Sequence, residues 1–283
     1  MNNSKNIAHR FNSIGAFVAY LDRGKQQYSY DDSQKEGDKD WYGSATYKEA
    51  NDTLLFGDKE NAEKIMQSNE YKEACRVINA QRAKREIFPS VVGFAPHVPN
   101  YIAGVPNQML RTRNVQVKQR TITVAIACSV PCAVSSEKMR KASANIALAI
   151  SKIEASGTRV QVFAGAGFTQ KWMEERDTNS GQTLSAWVKI KDYQQQLDLL
   201  RMIYPLGNPS FFRRHMFRLM EITPNLEPDM VYGYGYQMNN NEMKRDLVRA
   251  GIKADAVINI RFDMGKSPAE LCEMIANQVQ NNK

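Results

Sequence analysis

Residues 121–128, Thr-Ile-Thr-Val-Ala-Ile-Ala-Cys, form a nearly unbroken apolar run. A strand of this kind has no face to give to water and belongs inside a sheet covered on both sides. The next segments agree with that placement. Ser135 or Ser136 opens a helix whose stripe is Met139, Ala142, Ile146, Ala149/Ile150 and Ile153, steps of three and four that mark one buried face. Gly157 closes it, and Arg159–Ala164 reads as a second strand.

The alternation continues to the end of the chain. After a polar turn around Asp177–Gly181, Leu184, Ala186, Val188 and Ile190 alternate with polar residues and Trp187. That period of two predicts an edge strand with one wet face, antiparallel to the second. A helix is expected from Asp192 to Tyr204, broken by Pro205-Leu-Gly-Asn-Pro209 and relaunched over Ser210–Ile222. Met230–Met238 reads as a strand with Tyr232, Tyr234 and Tyr236 on one face. A helix over Asn240–Ala250, a strand over Ala256–Phe262 and a final helix complete the order. Ser267-Pro268-Ala269-Glu270 is the capping box of that last helix, and Leu271, Ile275 and Val279 face inward. Right-handed crossovers make residues 120–283 a three-layer α/β sandwich with a mainly parallel sheet.

The first 119 residues have another pattern. Residues 1–45 lack periodicity and read as a flexible arm. Residues 46–87 read as a helical region: one helix over Tyr47–Phe56, capped by Ser44 or Thr46, and another from Lys59, with a polar break at Gln67-Ser68-Asn69. Residues 88–119 read as a Pro/Gly loop and basic connector. Four prolines and two glycines between 88 and 109 forbid a long helix, while Val91, Val92, Phe94, Tyr101 and Ile102 predict a loop packed on the rest of the chain.

Charge and cysteines narrow the function classes. The formal charge of +8 is unevenly spread: residues 28–74 carry twelve acidic and six basic side chains, and residues 75–120 carry eight basic and one acidic. An anionic partner is permitted, and so is pairing between the two regions. Met1–Arg10 has no apolar core of a secretory signal, and no stretch approaches the ~20 apolar residues of a membrane helix, which points to the cytoplasm. Cys128 and Cys132 are separated by three residues, not two, with no histidine near them, unlike the pairs that hold zinc. Gly165-Ala166-Gly167 follows a strand, but Gln170 stands where a dinucleotide loop needs its third glycine. No phosphate-cradling loop and no Gly-x-Ser-x-Gly elbow occur. Ser129, at a strand end, is the only serine placed where a nucleophile would stand, and it ranks last.

The basic cluster is the sharpest functional signal. Arg213, Arg214 and Arg218 lie on one helix, and Arg111, Arg113, Lys118 and Arg120 precede the first strand of the sandwich. Such sets contact phosphates, although a solvated helix face is the simpler explanation.

The element order of residues 120–280 resembles a von Willebrand factor A-type domain. That family places an Asp-x-Ser-x-Ser metal motif after its first strand; here the stretch is Ala127-Cys128-Ser129-Val130-Pro131, and only Ser129 matches. The resemblance implies the fold without the metal, because hard cations need anionic oxygens. Trp41-Tyr42-Gly43-Ser44, the Gly93-x-x-Pro96-x-Val98-Pro99-x-x-Ile102-x-Gly104-x-Pro106-x-x-Met109 spacing, and Leu200-Arg201-Met202 leading to Pro209-Ser210 together resemble an uncharacterised tailed-bacteriophage family, a domain of unknown function. It implies a phage or prophage origin, in the host cytoplasm or the virion, and no chemistry.

These readings converge on a non-enzymatic protein-interaction module without cofactor or metal. Its partner would be a phage or host protein, with self-association possible. Its contact surface is expected at the strand C-termini: Ser129, Ser135, Gly165, Gly167 and Phe168. The alternative is a nucleic-acid-associated protein using Arg213/Arg214/Arg218 and Arg111–Arg120.

Overall fold

The computed structural model describes residues 6–82, 85–114, 120–170, 181–231 and 233–281. In chain order the elements are β1 (Asn6–Phe11), α1 (Ile14–Arg23), α2 (Lys39–Tyr42), α3 (Tyr47–Phe56), α4 (Lys59–Met66) and α5 (Asn69–Arg82). A small sheet is built from β2 (Arg85–Ser90), β3 (Ala95–Pro96), the short α6 (Val98–Ile102) and β4 (Met109–Asn114). Then come β5 (Thr121–Ala127), α7 (Ser136–Ala155), β6 (Arg159–Thr169), β7 (Thr183–Lys191) and α8 (Leu199–Gly207). A π-helical turn (Phe211–Met216) runs into α9 (Phe217–Ile222), followed by α10 (Pro228–Val231) and β8 (Tyr236–Gln237). The chain ends in α11 (Asn240–Arg249), β9 (Ala256–Asn259), α12 (Ile260–Asp263) and α13 (Pro268–Asn281).

The central sheet has the order β1-β7-β6-β5-β9, with β8 paired to β6. Three pairings are parallel (β1–β7, β5–β6, β5–β9), and β7 and β8 run antiparallel to β6. The chain is therefore a mixed α/β protein with a mostly parallel central sheet between helices. The pleat explains the apolar run of β5. Val124 and Ile126 point into the larger core, with α7 (Met139, Ile146), α8 and α13 (Leu271, Ile275). Ala125 and Ala127 point the other way, beneath Met243 and Leu247 of α11. Ser135 caps α7 by accepting from Lys138 N, and Thr46 caps α3. The polar break at Gln67-Ser68 separates α4 from α5 as the sequence predicts.

Four expectations change. The first is the flexible arm. Within it, β1 pairs along β7 from Asn6↔Thr183 to Phe11↔Val188, and α1 buries Phe17, Val18 and Leu21, each worth about 1.5–3 kcal/mol. Ser13 caps α1 by accepting from Ala16 N. The six-residue strand is too short to announce itself by periodicity, whereas the ten-residue α1 carries a local signal, the Ser13 cap and the Ile14, Phe17, Val18, Leu21 spacing, that the arm reading overlooks.

The second is the edge strand. β7 is antiparallel to β6, as predicted, but β1 covers its outer side, and Leu184 through Val188 are all buried. Trp187, on the face expected to be wet, donates from Nε1 to the Asp246 carboxylate of α11 at 3.0 Å. At the far end of the strand Lys191 is 2% exposed and paired with the buried Glu154 of α7 at 2.6 Å, tying helix to sheet.

The third is the tyrosine strand. Among the described residues of this stretch, Met230 and Val231 end α10 and only Tyr236–Gln237 form a strand, β8. Gly233 and Gly235 both take positive φ, which breaks a strand. Tyr232 lies outside the described residues. The fourth is the Pro/Gly loop: it folds into the three-stranded sheet β2-β4-β3, and its apolar side chains face solvent rather than pack on the rest of the chain.

Candidate functional site

A crevice of about 380 Å³ opens where β5, β6 and β9 end. The loop leaving β5 supplies Val130, Pro131 and Cys132, and β6 supplies Phe168. Tyr234 and Tyr236 come from the segment around β8, Arg261 follows β9, and Trp41 contributes from the N-terminal region. Phe212 and Phe217 also line it. Strand ends in an open α/β sheet leave such a gap because the chain departs to opposite faces.

The wall at Tyr234 is held in an unusual backbone conformation. Tyr234 has φ of +59°, a region that costs a non-glycine residue energy unless its surroundings impose it. Its ring stacks on Phe217 with centroids 3.6 Å apart and planes 6° from parallel. Its hydroxyl donates to Glu221 at 2.7 Å. Burial, then the neighbouring carboxylate, holds that phenol well above its ordinary pKa, so Tyr234 is a wall and not an acid. Glu221 is fully buried and also accepts from Ser33 N at 2.9 Å.

The floor rests on the arginines of the π-helical turn. Arg213 donates to the carbonyl of Trp41, and to those of Cys132 and Val134 at 3.2 and 3.3 Å. Its guanidinium carbon lies 4.6 Å from the centre of the Trp41 ring. Arg214 donates to the carbonyls of Ser33, Lys35, Ser44 and Ala45, all at 2.9 Å, and stacks over Tyr42 at 4.3 Å. Arg218 donates to the carbonyl of Gly24 at 2.9 Å and bonds Gln26.

The phosphate-binding expectation for these arginines is therefore corrected. Arg213 and Arg214 are 1% and 0% exposed, and Arg218 is turned onto the backbone of the N-terminal segment. A guanidinium presents several donors in a rigid fork, which suits it to converging carbonyls. Arg111 and Arg120 are exposed; the side chain of Arg113 and the whole of Lys118 lie outside the described residues.

The crevice residues expected from sequence divide likewise. Phe168 lines the crevice. Ser135 is exposed at the start of α7 as its cap. Ser129 is fully buried with no hydrogen-bond partner for its hydroxyl, so that hydroxyl does not face the opening. Gly165 and Gly167 sit inside β6, where a side chain would strike Ala186 O and the sulfur of Met238. They permit strand packing and do not touch a ligand. Burial pushes the Cys128 thiol up to about 12, and among the described residues no group of three His, Cys, Asp or Glu is placed to hold a metal ion. Arg261 escapes a sequence reading, since it is an isolated residue until the fold gathers it with Trp41 of the Trp-Tyr-Gly-Ser motif and Tyr236 of the tyrosine stripe.

A larger groove, of about 810 Å³, lies between the start of α1 and the segment preceding α8. Its cations are already paired: Lys189 with Asp192, Lys191 with Glu154, and Arg201 with Asp198. The strand-end crevice is thus the better candidate.

The geometry also explains the distant sequence motifs. Gly43, with φ of +81°, lies so close to Asn208 Oδ1 and Ser210 N that a side chain would collide with both. Ser210 Oγ donates to the carbonyl of Tyr42 at 2.6 Å and bonds Ser44 Oγ at 2.8 Å. Gly57 fits against Leu200 in the same way, and Asp58 N donates to Leu200 O. Trp-Tyr-Gly-Ser and Pro209-Ser210 are thus two halves of one contact.

No curated protein and no solved structure matches this chain. A family defined by a domain of unknown function, DUF7192, matches residues 1–279, nearly the whole length. The chain, whose motifs meet around the buried arginines beneath the crevice, belongs to the DUF7192 family.

Proposed function

We propose that this is a phage-encoded, non-enzymatic protein-interaction module built on a von Willebrand A-like sheet, acting in the host cytoplasm or the virion. The order β7-β6-β5-β9 with β7 antiparallel supports the fold reading. One observation carries the functional reading: the crevice at the strand ends is walled mainly by aromatic and apolar side chains, its charged lining being the buried Arg213 together with Arg261, which reaches Gln237 Oε1 at 3.5 Å. Its polar neighbours Arg213 and Glu221 are engaged inside the protein. Concave sites with mainly apolar walls and few placed charges take an apolar side chain and orient it. An exposed apolar segment of a partner protein fits that description.

Immobilised protein tests this against lysates of infected and uninfected host cells. Cys132→Arg and Arg261→Glu are expected to abolish capture of the specific partner. Lys253→Glu, at the opposite end of β9, is expected to leave capture unchanged. Equal capture by all three variants would contradict the reading. The nucleic-acid reading keeps only Arg111 and Arg120 among its described side chains. Retention of nucleic acid that falls steeply with salt would restore it.

A further inference from the structure

We propose that the small sheet β2-β4-β3 with α6 is a docking arm that inserts into the strand-end crevice of a second copy of this chain, giving head-to-tail self-association; the inference rests on the crevice being a protein-docking site. The arm supplies the first ground. Not one residue described between 87 and 112 is buried. Val92, Phe94, Tyr101 and Ile102 are 70%, 65%, 67% and 80% exposed. The segment is nevertheless built. β2 and β4 pair over six residues, and Gly93 passes so close to Leu110 O that any side chain would collide with it. His97 caps α6 by accepting from Asn100 N. A sheet of this size without a core is marginal in water, and a contiguous apolar patch marks an interaction surface.

Charge identifies the partner. Arg111 of the arm and Arg120 at its root are exposed, in a stretch of eight basic and one acidic residues. The crevice is mainly apolar. In the run leading to its Trp41 wall, Lys35 and Lys39 are paired with Asp32 and Glu49, and the run also carries Asp31, Glu36, Asp38 and Asp40. All four are exposed, and none forms an ion pair among the described residues. An apolar arm with a basic root therefore meets a mainly apolar cleft with an acidic flank on the same chain. Position excludes a symmetric pairing of like surfaces. The arm precedes Thr121 at the start of β5, and the crevice lies beyond Ala127 at the other end of that strand. Donor and acceptor are different surfaces, so one arm in one crevice joins chains head to tail, and two chains that fill each other's crevices close into a reciprocal pair.

Sedimentation velocity of the full chain, across a wide concentration range, tests this with two variants whose folding is checked by circular dichroism. Phe94→Glu/Ile102→Glu disables the arm, and Cys132→Arg blocks the crevice; both alter exposed positions. The wild-type mass is expected to rise with concentration, and each variant alone to stay at one chain. Mixing the two variants is expected to give a species of two chains and nothing larger, since each supplies one working surface. A wild-type protein that remains a monomer overturns the inference, as does a mixture that remains monomeric. A monomeric wild type whose lysate partner is still lost on Cys132→Arg overturns self-association alone and leaves the docking reading standing. Binding of the arm to anionic lipid vesicles without a rise in mass would also overturn it.

Discussion

Arg213, Arg214 and His215 stand side by side in the sequence and are all buried. On sequence alone they form a basic patch, because a spacing of one and four residues looks the same on a wet face and a dry one. The residues that distinguish the two are their neighbours. Phe211, Phe212, Met216, Phe217, Leu219 and Met220 leave no side of this helix polar, and a helix apolar all round is an interior one. His215 carries the clearest consequence. Its Nδ1 lies 3.1 Å from Ser210 O and its Nε2 2.9 Å from Asn51 Oδ1, both acceptors, and the neutral ring donates to one of them. Burial pulls its pKa down to about 3, against about 6.5 in an unfolded chain. Between those values only the unfolded state takes up the proton. The stabilisation is thus complete above pH 6.5 and lost as pH falls toward 3, by about 1.4 kcal/mol per pH unit. Urea titrations of the wild type and His215→Gln between about pH 7 and about pH 4 should show the wild type losing stability more steeply by that amount. Parallel curves would contradict the buried neutral imidazole.

At the scale of elements, the π-helical turn works as a clamp between the N-terminal segment and the sheet. Arg214 gathers four carbonyls from two separate stretches, 33–35 and 44–45. Replacing it by Met keeps much of the volume but strands those acceptors. The expected loss is at least about 3 kcal/mol, because each buried unpaired carbonyl costs about 1–3 kcal/mol. Arg214→Lys should not recover it, since an ammonium cannot span the same fork. Chemical denaturation measures both, and a loss below about 1 kcal/mol for Met would refute the clamp. This coupling shows why some elements escape a sequence reading. The helices α3, α7, α11 and α13 are legible because caps and apolar steps are local. β1 is not, since a short strand is recognised only through β7, which lies more than 170 residues away. The same is true of β7 itself: its alternation is real, but the wet face it implies is occupied by α11.

For the whole molecule, the +8 charge conceals its own distribution. Part of it, in Arg213, Arg214 and Arg218, is spent on internal carbonyls. What reaches the surface is a basic stretch about the arm and an acidic run beside the crevice. The sticky Pro/Gly segment and the two charged regions are visible in the sequence, but not which way the segment faces. Direction comes from tertiary structure: the core is already filled by α1, α8 and the aromatic helix, leaving Val92, Phe94 and Ile102 no inner surface to cover. The crevice is legible only as an approximate place, the strand ends. Its walls come from six separate parts of the chain.

That the crevice receives protein is the central claim. The most direct measurement attaches a photoactivatable cross-linker to Cys132, which is exposed, in a Cys75→Ser/Cys272→Ser background, and irradiates it in infected-cell extract. Covalent adducts with polypeptide are predicted, whether with this chain or another. A matching label on Lys253→Cys, in a Cys132→Ser version of that background, is predicted to yield none of them. Adducts with nucleic acid alone, or the same polypeptide adducts from both positions, would contradict it.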